Sequence, residues 1–271
     1  MNVHKLWEYQ EYINVNGIMM TNELISLLQN SLTMLQVENH FTHIQYWGQI
    51  YAVDMDYHIA VGISNDALTD RKYFYTTDFK FWGLLPKAKK KYKQLSLLTT
   101  FPFRGEPALQ VKVLDEGLDE NHPDRCKVMK EESRLSATIS NICEEAEVCA
   151  RGQLLKQPSG TVVINPNYYG LHGAEAKLLK SYLHIRPAQH RWNTNLLTRP
   201  DYNYSMDFLD SIDMDIPAGC WNLSIERGGS LVYLKSLYWP GMMFFHKVRT
   251  PDAGFLYIGN GRKNLDVPFL L

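Results

Sequence analysis

Asp54, Asp56 and His58 come closest to a chemical centre, by type and spacing, in this 271-residue chain. On a continuous strand, positions i, i+2 and i+4 point to one face, and two carboxylates with an imidazole suit a divalent cation. The same Asp54-Met55-Asp56 stretch reads as a polar hairpin turn with His58 on its outer edge, and a turn breaks the shared face. His40 and His43 stand three apart but straddle the junction between a predicted helix and a predicted strand, so helical spacing does not align them. Cys126, Cys143, Cys149 and Cys220 show no Cys-x-x-Cys spacing. Cys143 and Cys149, six apart on a predicted helix, face away from each other and read as packing residues. Four thiols without a disulfide framework suit a reducing compartment.

Gly254, Gly259 and Gly261 resemble a phosphate loop at the end of a predicted strand, but no helix is expected to open after them. Without a helix N-terminus an anion there lacks its donors and dipole. Local motifs for a P-loop, a nucleophile elbow, a zinc protease or a calcium loop are absent from the sequence. Two chemical readings stay open beside a purely structural one. The first is a metal- or nucleotide-dependent enzyme using the Asp54-Asp56-His58 turn or the Gly259-Asn260-Gly261 loop. The second is a small-ligand-binding module built on a meander. The run KAKKKYK at 87–93 is a solvated basic loop or a docking patch for an acidic surface. It has neither an aromatic stacking platform nor a recognition helix, which argues against nucleic acid.

The elements that would position these residues follow from periodicity. Thr21 is placed as an N-cap, and Leu24, Leu27, Leu28, Leu32 and Leu35 recur at helical spacing, so 21–38 is a predicted helix. The stretch THIQYWGQIYAV alternates, putting Ile44, Tyr46, Gly48, Ile50 and Ala52 on one face and His43, Gln45, Trp47, Gln49 and Tyr51 on the other. YHIAVGI at 57–63 and RKYFYTT at 71–77 continue an antiparallel meander. Residues 101–125 show no clean period. A helix is predicted from about residue 130 to 148, with Leu135, Ile139, Ile142 and Ala146 inward, then a strand at 161–165 and a helix at 173–185. Gly228-Gly229 supplies the positive φ of a hairpin across 220–236, and strands follow at 239–246 and 254–259.

Residues 231–246, LVYLKSLYWPGMMFFH, are too broken by Lys235 and Pro240-Gly241 to cross a bilayer. Their expected form is two buried strands joined by a bend at Trp239-Pro240-Gly241, with Trp239 buried. The N-terminus lacks a signal-peptide pattern. The composition, 45% hydrophobic and 21% charged with a net charge of −1, is that of a globular protein without a field favouring nucleic acid or an anionic membrane. The expected fold class is α+β. One shared antiparallel sheet unites the meander with the C-terminal hairpins, helices cover it, and residues 21–271 form a single domain behind an N-terminal extension, 1–20.

The C-terminal stretch from Asp215 carries a distinctive order of pieces. They are D-I-P-x-G-x-W, an E-R-G hairpin, S-L-x-W-P-G, an aromatic-His strand, Y-x-G-x-G and a closing P-F-x-L. Upstream come YWGQIYAVDMDYHIAVGISNDAL, RKYFY, LLP, KEESRL, ARG, EAKLLKSYLHIRP and MDFLDSIDMDIP. In this order the pieces resemble the radial spoke head protein 9 family, from about residue 22 to the end. Residues 1–20, with Trp7, Tyr9 and Tyr12, and segment 87–125 depart from the pattern. The resemblance implies a non-enzymatic subunit of the ciliary radial spoke head, in the axoneme, needing no cofactor, metal or small molecule. Its implied partners are other head proteins, including those related to components four and six, and its head faces the central pair to regulate dynein. Trp47, Trp221, Arg227, Trp239, Pro240, Gly241, Phe245 and His246 are the candidate structural or interface residues, because interfaces enrich aromatics and Arg.

Overall fold

The computed structural model describes residues 1–14, 17, 19–114, 126–189 and 200–270. A short first helix, α1 (Leu6–Asn14), precedes α2 (Asn22–Glu38). The Thr21 hydroxyl accepts from the Leu24 amide at 3.2 Å, capping α2 as its sequence predicts. Its buried stripe is Ile25, Leu28, Leu32 and Leu35, whereas Leu27 is 56% exposed. The helix is thus turned so that Ile25 takes the inward place expected for Leu27. Apolar residues lie nearly all round α2, and packing against the sheet selects which of them turn in.

The meander follows as β1 (His43–Ile50), β2 (Tyr57–Ile63), β3 (Arg71–Thr76) and the short β4 (Gly83–Leu84). Next come α3 (Lys90–Leu98) and the paired strands β5 (Gln110–Leu114) and β6 (Cys126–Lys130). These three pack on each other through Leu95, Val111, Val113 and Met129. The described part of segment 101–125 therefore holds a strand; residues 115–125 of that segment lie outside the described residues. Helix α4 (Glu131–Ala146) buries the four predicted positions Leu135, Ile139, Ile142 and Ala146. It stops two residues before the expected end, so Cys149 lies on β7 (Val148–Ala150) and not on the helix. Strands β8 (Leu154–Lys156) and β9 (Val162–Ile164) pair with each other.

The predicted helix at 173–185 does not form. Residues 175–177 and 179–181 make single 3-10 turns, and β10 (Tyr182–His184) pairs antiparallel with β7. All three residues of β10 are buried. A segment buried on every side gains no helix-selecting pattern from its neighbours, and the ladder with β7 overrides its helical propensity. The C-terminal part adds β11 (Trp221–Glu226), β12 (Leu231–Ser236), β13 (Met242–Lys247), β14 (Ala253–Gly259) and the single turn α5 (Val267–Leu270).

The eight strands of the main sheet run in the order β11-β12-β13-β14-β1-β2-β3-β4. The two strand groups do share a sheet, but β1 and β14 meet in parallel, Gly48 to Ile50 against Tyr257 to Gly259. Strands joined by tight turns must be antiparallel. No such turn links β1 to β14, so packing alone sets their relative direction, and the sheet is mixed. Helices α1 and α2 cover one face, over Ile44, Tyr46, Ala60, Tyr233, Met243, Phe245 and Leu256. Helix α4 and the small sheets cover the other, over Trp47, Ile50, Tyr57, Ile59, Leu234, Trp239, Met242, Phe244 and Tyr257.

The predicted alternation along β1 is interrupted. The β1–β2 register slips by one residue between Tyr46 and Gly48. Ile44 and Tyr46 therefore face α1 and α2, whereas Trp47 and Ile50 face α4. A bulge of this kind exchanges the faces of everything beyond it. Residues 1–14 belong to the first layer: the rings of Tyr9 and Tyr12 lie 5.2 and 5.6 Å from that of Phe245.

Candidate functional site

Asp54, Asp56 and His58 are not brought together. Asp56 lies in the turn, its carboxylate accepting from the Ala52 amide at 2.8 Å and from Gln49 Nε2 at 2.7 Å. Asp54 points to solvent, 3.7 Å from Arg104. His58 is buried, not at the outer edge of the turn, because β2 begins one residue earlier and turns the imidazole under Phe79. Its Nδ1 sits 2.9 Å from the Tyr46 hydroxyl, and burial pulls its pKa down to about 4, so the ring is neutral. Among the described residues no three His, Cys, Asp or Glu side chains are grouped to hold a metal ion. The Gly261 amide donates to the Tyr257 hydroxyl at 3.0 Å, which turns it away from any phosphate.

His40 and His43 are both exposed, and His40 sits in the left-handed region that ends α2. Cys143 and Cys149 are buried, on different elements. Burial raises both thiols above their ordinary pKa, so neither is a ready nucleophile. Beside them Arg71 grips Glu147 through Nη1–Oε2 at 2.8 Å and Nη2–Oε1 at 2.5 Å, a buried ion pair joining β3 to the end of α4.

The candidate structural residues fall into two groups. Trp47, Trp239, Phe245 and His246 are almost wholly buried within the chain's own core. Trp47 stands at the bulge with the rings of Phe255 and Tyr257 5.8 and 5.4 Å away. His246 places Nε2 2.9 Å from the Tyr182 hydroxyl, and burial lowers its pKa to about 4. Trp221, also buried, donates from Nε1 to Asp215 at 2.7 Å. The remaining three, Arg227, Pro240 and Gly241, have accessible surface. Arg227 donates to Glu11 Oε1 at 2.6 Å, tying the β11–β12 turn to α1.

Around Trp239-Pro240-Gly241 the chain makes the predicted bend between β12 and β13. Trp239 is 1% exposed, and its Nε1 donates to Glu145 Oε2 at 2.8 Å. Lys263 donates to the other oxygen of Glu145 at 2.9 Å, so one carboxylate of α4 holds both the bend and the C-terminal segment. Gly241 has φ +98°, and a Cβ there would lie 2.0 Å from the Ile258 carbonyl oxygen. Only glycine allows β14 to approach this closely. The Gly241 carbonyl then accepts from the Ile258 amide at 2.9 Å.

Outside this pinned bend lies a groove of about 500 Å³, lined by Lys235, Leu237, Pro240, Met242, Ile258, Asn264, Val267 and Leu270. Leu237 and Leu270 of its lining are exposed, Leu270 by 73%, and the neighbouring C-terminal residues Leu265 and Phe269 are exposed as well, Phe269 by 87%. Sequence reading located the bend but missed Glu145, Asp215 and the exposed apolar lining. Glu145 is one of three acids within four residues, and nothing local shows which of them turns inward to an indole 94 residues away. The apolar residues 267–270 were a faint signal, being a hydrophobic tail with no strand or helix pattern long enough to bury it.

No family model matches the chain. Full-length similarity to curated proteins is extensive. The radial spoke head protein 9 homolog of Danio rerio is 36% identical over 262 residues, spanning 94% of this chain and 95% of its own length. Those of Bos taurus and Homo sapiens are 37% and 36% identical over 249 residues, each spanning 90% of both chains.

Proposed function

The chain belongs to the radial spoke head protein 9 family, and we propose that it is a non-enzymatic structural subunit of the spoke head in motile cilia and flagella. Its place is the ciliary axoneme. In this reading it binds other head subunits, including those related to components four and six, and helps pass contact with the central pair to the dyneins. It needs no cofactor, metal or small molecule, and residues 21–271 work as one domain onto whose sheet residues 1–14 of the preceding segment pack.

The observation that carries the reading is the exposed apolar lining of Leu237, Pro240 and Leu270, next to the exposed side chain of Phe269 in the sequence, beside a hydrogen-bonded bend. Large apolar side chains left in water beside a groove are what a partner subunit covers. The Trp239–Glu145–Lys263 link keeps that lining from collapsing when unoccupied. The test is the double substitution Phe269→Asp with Leu270→Asp. Both side chains are exposed, so the purified variant should keep its thermal midpoint and yet no longer co-purify with spoke head proteins from axonemes. Full retention of those partners would count against this surface. Stoichiometric metal or saturable nucleotide binding by the purified chain would count against the non-enzymatic reading.

A further inference from the structure

We propose that a second surface, far from the bend in sequence, binds an acidic polypeptide segment. It is a groove of about 390 Å³ with Pro86, Tyr92 and Met129 as its floor and Lys87, Lys89 and Lys130 at its rim. Lys112 extends the same rim, since Gln110 pairs with Lys130 and Lys112 lies two residues further along the same exposed face of β5. Lys90 and Lys91 continue it into the first turn of α3. These six lysines are exposed and have no carboxylate partner among the described residues; Lys93 is the member of the run that pairs, with Glu144.

Their placement works against the fold. The first turn of α3 holds no acidic residue, and its N-cap, Lys89, makes no side-chain hydrogen bond. Lysines there sit at the positive end of the helix dipole beside amides that lack acceptors. Lys87, Lys89 and Lys130 converge on one groove from separate segments, with Lys90, Lys91 and Lys112 next to them along the chain or strand, and like charges so placed repel each other further. A solvated run alone would involve one segment; here the loop before α3, α3 itself and the β5–β6 pair supply the rim together. An extended chain bearing several carboxylates answers each of these costs. Its acids pair with the ammonium groups, one acid meets the free amides of α3, and its backbone lies on Tyr92 and Met129. The inference goes beyond the spoke-head reading and does not depend on it.

The experiment is fluorescence anisotropy of the purified full chain with a labelled peptide of about twelve residues, alternating Glu and Gly. The expected result is saturable binding that weakens severalfold as salt rises from about 50 to 150 mM. It should weaken about tenfold or more in the triple variant K87Q/K89Q/K130Q, and likewise in K90Q/K91Q/K112Q. The exposed pair K177Q/K180Q should bind as the parent does, and no variant should have a thermal midpoint below the parent's. Binding that ignores both triple variants would overturn the proposal. So would an oligonucleotide or an anionic vesicle that binds the same lysines more tightly than the peptide. Residues Asp115, Glu116, Asp119, Glu120 and Asp124 of the chain are themselves an acidic segment. If the peptide binds only after these are replaced by Asn and Gln, the groove's ligand is the chain itself and the proposal fails.

Discussion

At the scale of single residues, Trp239 joins the largest burial to a specific polar link. Replacing it with Ala removes a fully enclosed indole and leaves a cavity between the bend and α4, and should cost about 3–5 kcal/mol in chemical denaturation. Trp239→Phe keeps most of the volume and loses only the hydrogen bond to Glu145, which Lys263 still satisfies. It should cost about 1 kcal/mol. An Ala variant as stable as the parent would show that the indole is not packed as described. His58 and His246 contribute to the acid response. Both have pKa values pulled by burial from 6.5 to about 4. Between those values the unfolded chain takes up protons that the folded chain refuses, so the share of folding stability that rests on these two rings is whole above pH 6.5 and falls as pH drops towards 4. It falls on top of a loss that the buried Met1 amino group, pulled from 8.0 to about 5, begins near pH 8. The thermal midpoint should therefore decline across that window, and less steeply in a His58→Gln, His246→Gln double variant. The burial of Trp239 was legible in the sequence because Pro240 and Gly241 mark a strand end inside an apolar run. The partner of its Nε1 was not, since hydrogen bonds between distant elements leave no local pattern.

At the scale of elements, the critical joint is the parallel contact of β1 with β14, and it turns on Gly48. That residue has φ +149°, and a Cβ would lie 1.9 Å from the Tyr257 carbonyl oxygen. Gly48→Ala must either push the strands apart or move the bulge, and should cost about 3 kcal/mol or more, read as a lowered midpoint or loss of soluble protein. An unchanged midpoint would mean that the two halves of the sheet are not joined there. Strand and helix identities were read correctly in α2, β3 and β11, where one face is buried and the other wet. They were also read correctly in α4, β2, β12 and β13, where long apolar runs or a clear helical period survive burial nearly all round. The reading failed where a short buried strand follows residues with a helical pattern, and at a bulge. Tyr182–His184 is buried all round, so its period carries no information. In β1 the alternation was read straight through the bulge, although a glycine inside a strand is itself the sign of one.

At the scale of the whole molecule, one mixed sheet divides two hydrophobic layers, and the chain covers both faces itself. Residues 1–14 are part of that cover: Leu6, Tyr9, Tyr12 and Ile13 are buried against the sheet, and Lys5 reaches Asp252 at 2.5 Å. Removing residues 1–14 should bare Phe245, Tyr233 and Met243, lower the midpoint sharply and promote aggregation. If the midpoint held, the segment would be a dispensable addition. Of the surface itself little was legible, because a docking face is a set of side chains from distant segments that share only exposure. Leu237, Pro240, Val267 and Leu270 meet in one groove through the fold and not through spacing. The most direct test of that face as a subunit contact is lysine cross-linking of intact spoke heads isolated from axonemes. Lys235 lines the groove and Lys263 lies beside it. Cross-links from Lys235 and Lys263 to another head subunit are the expected result. Both lysines reacting only within this chain, and as freely as in the isolated protein, would contradict the account.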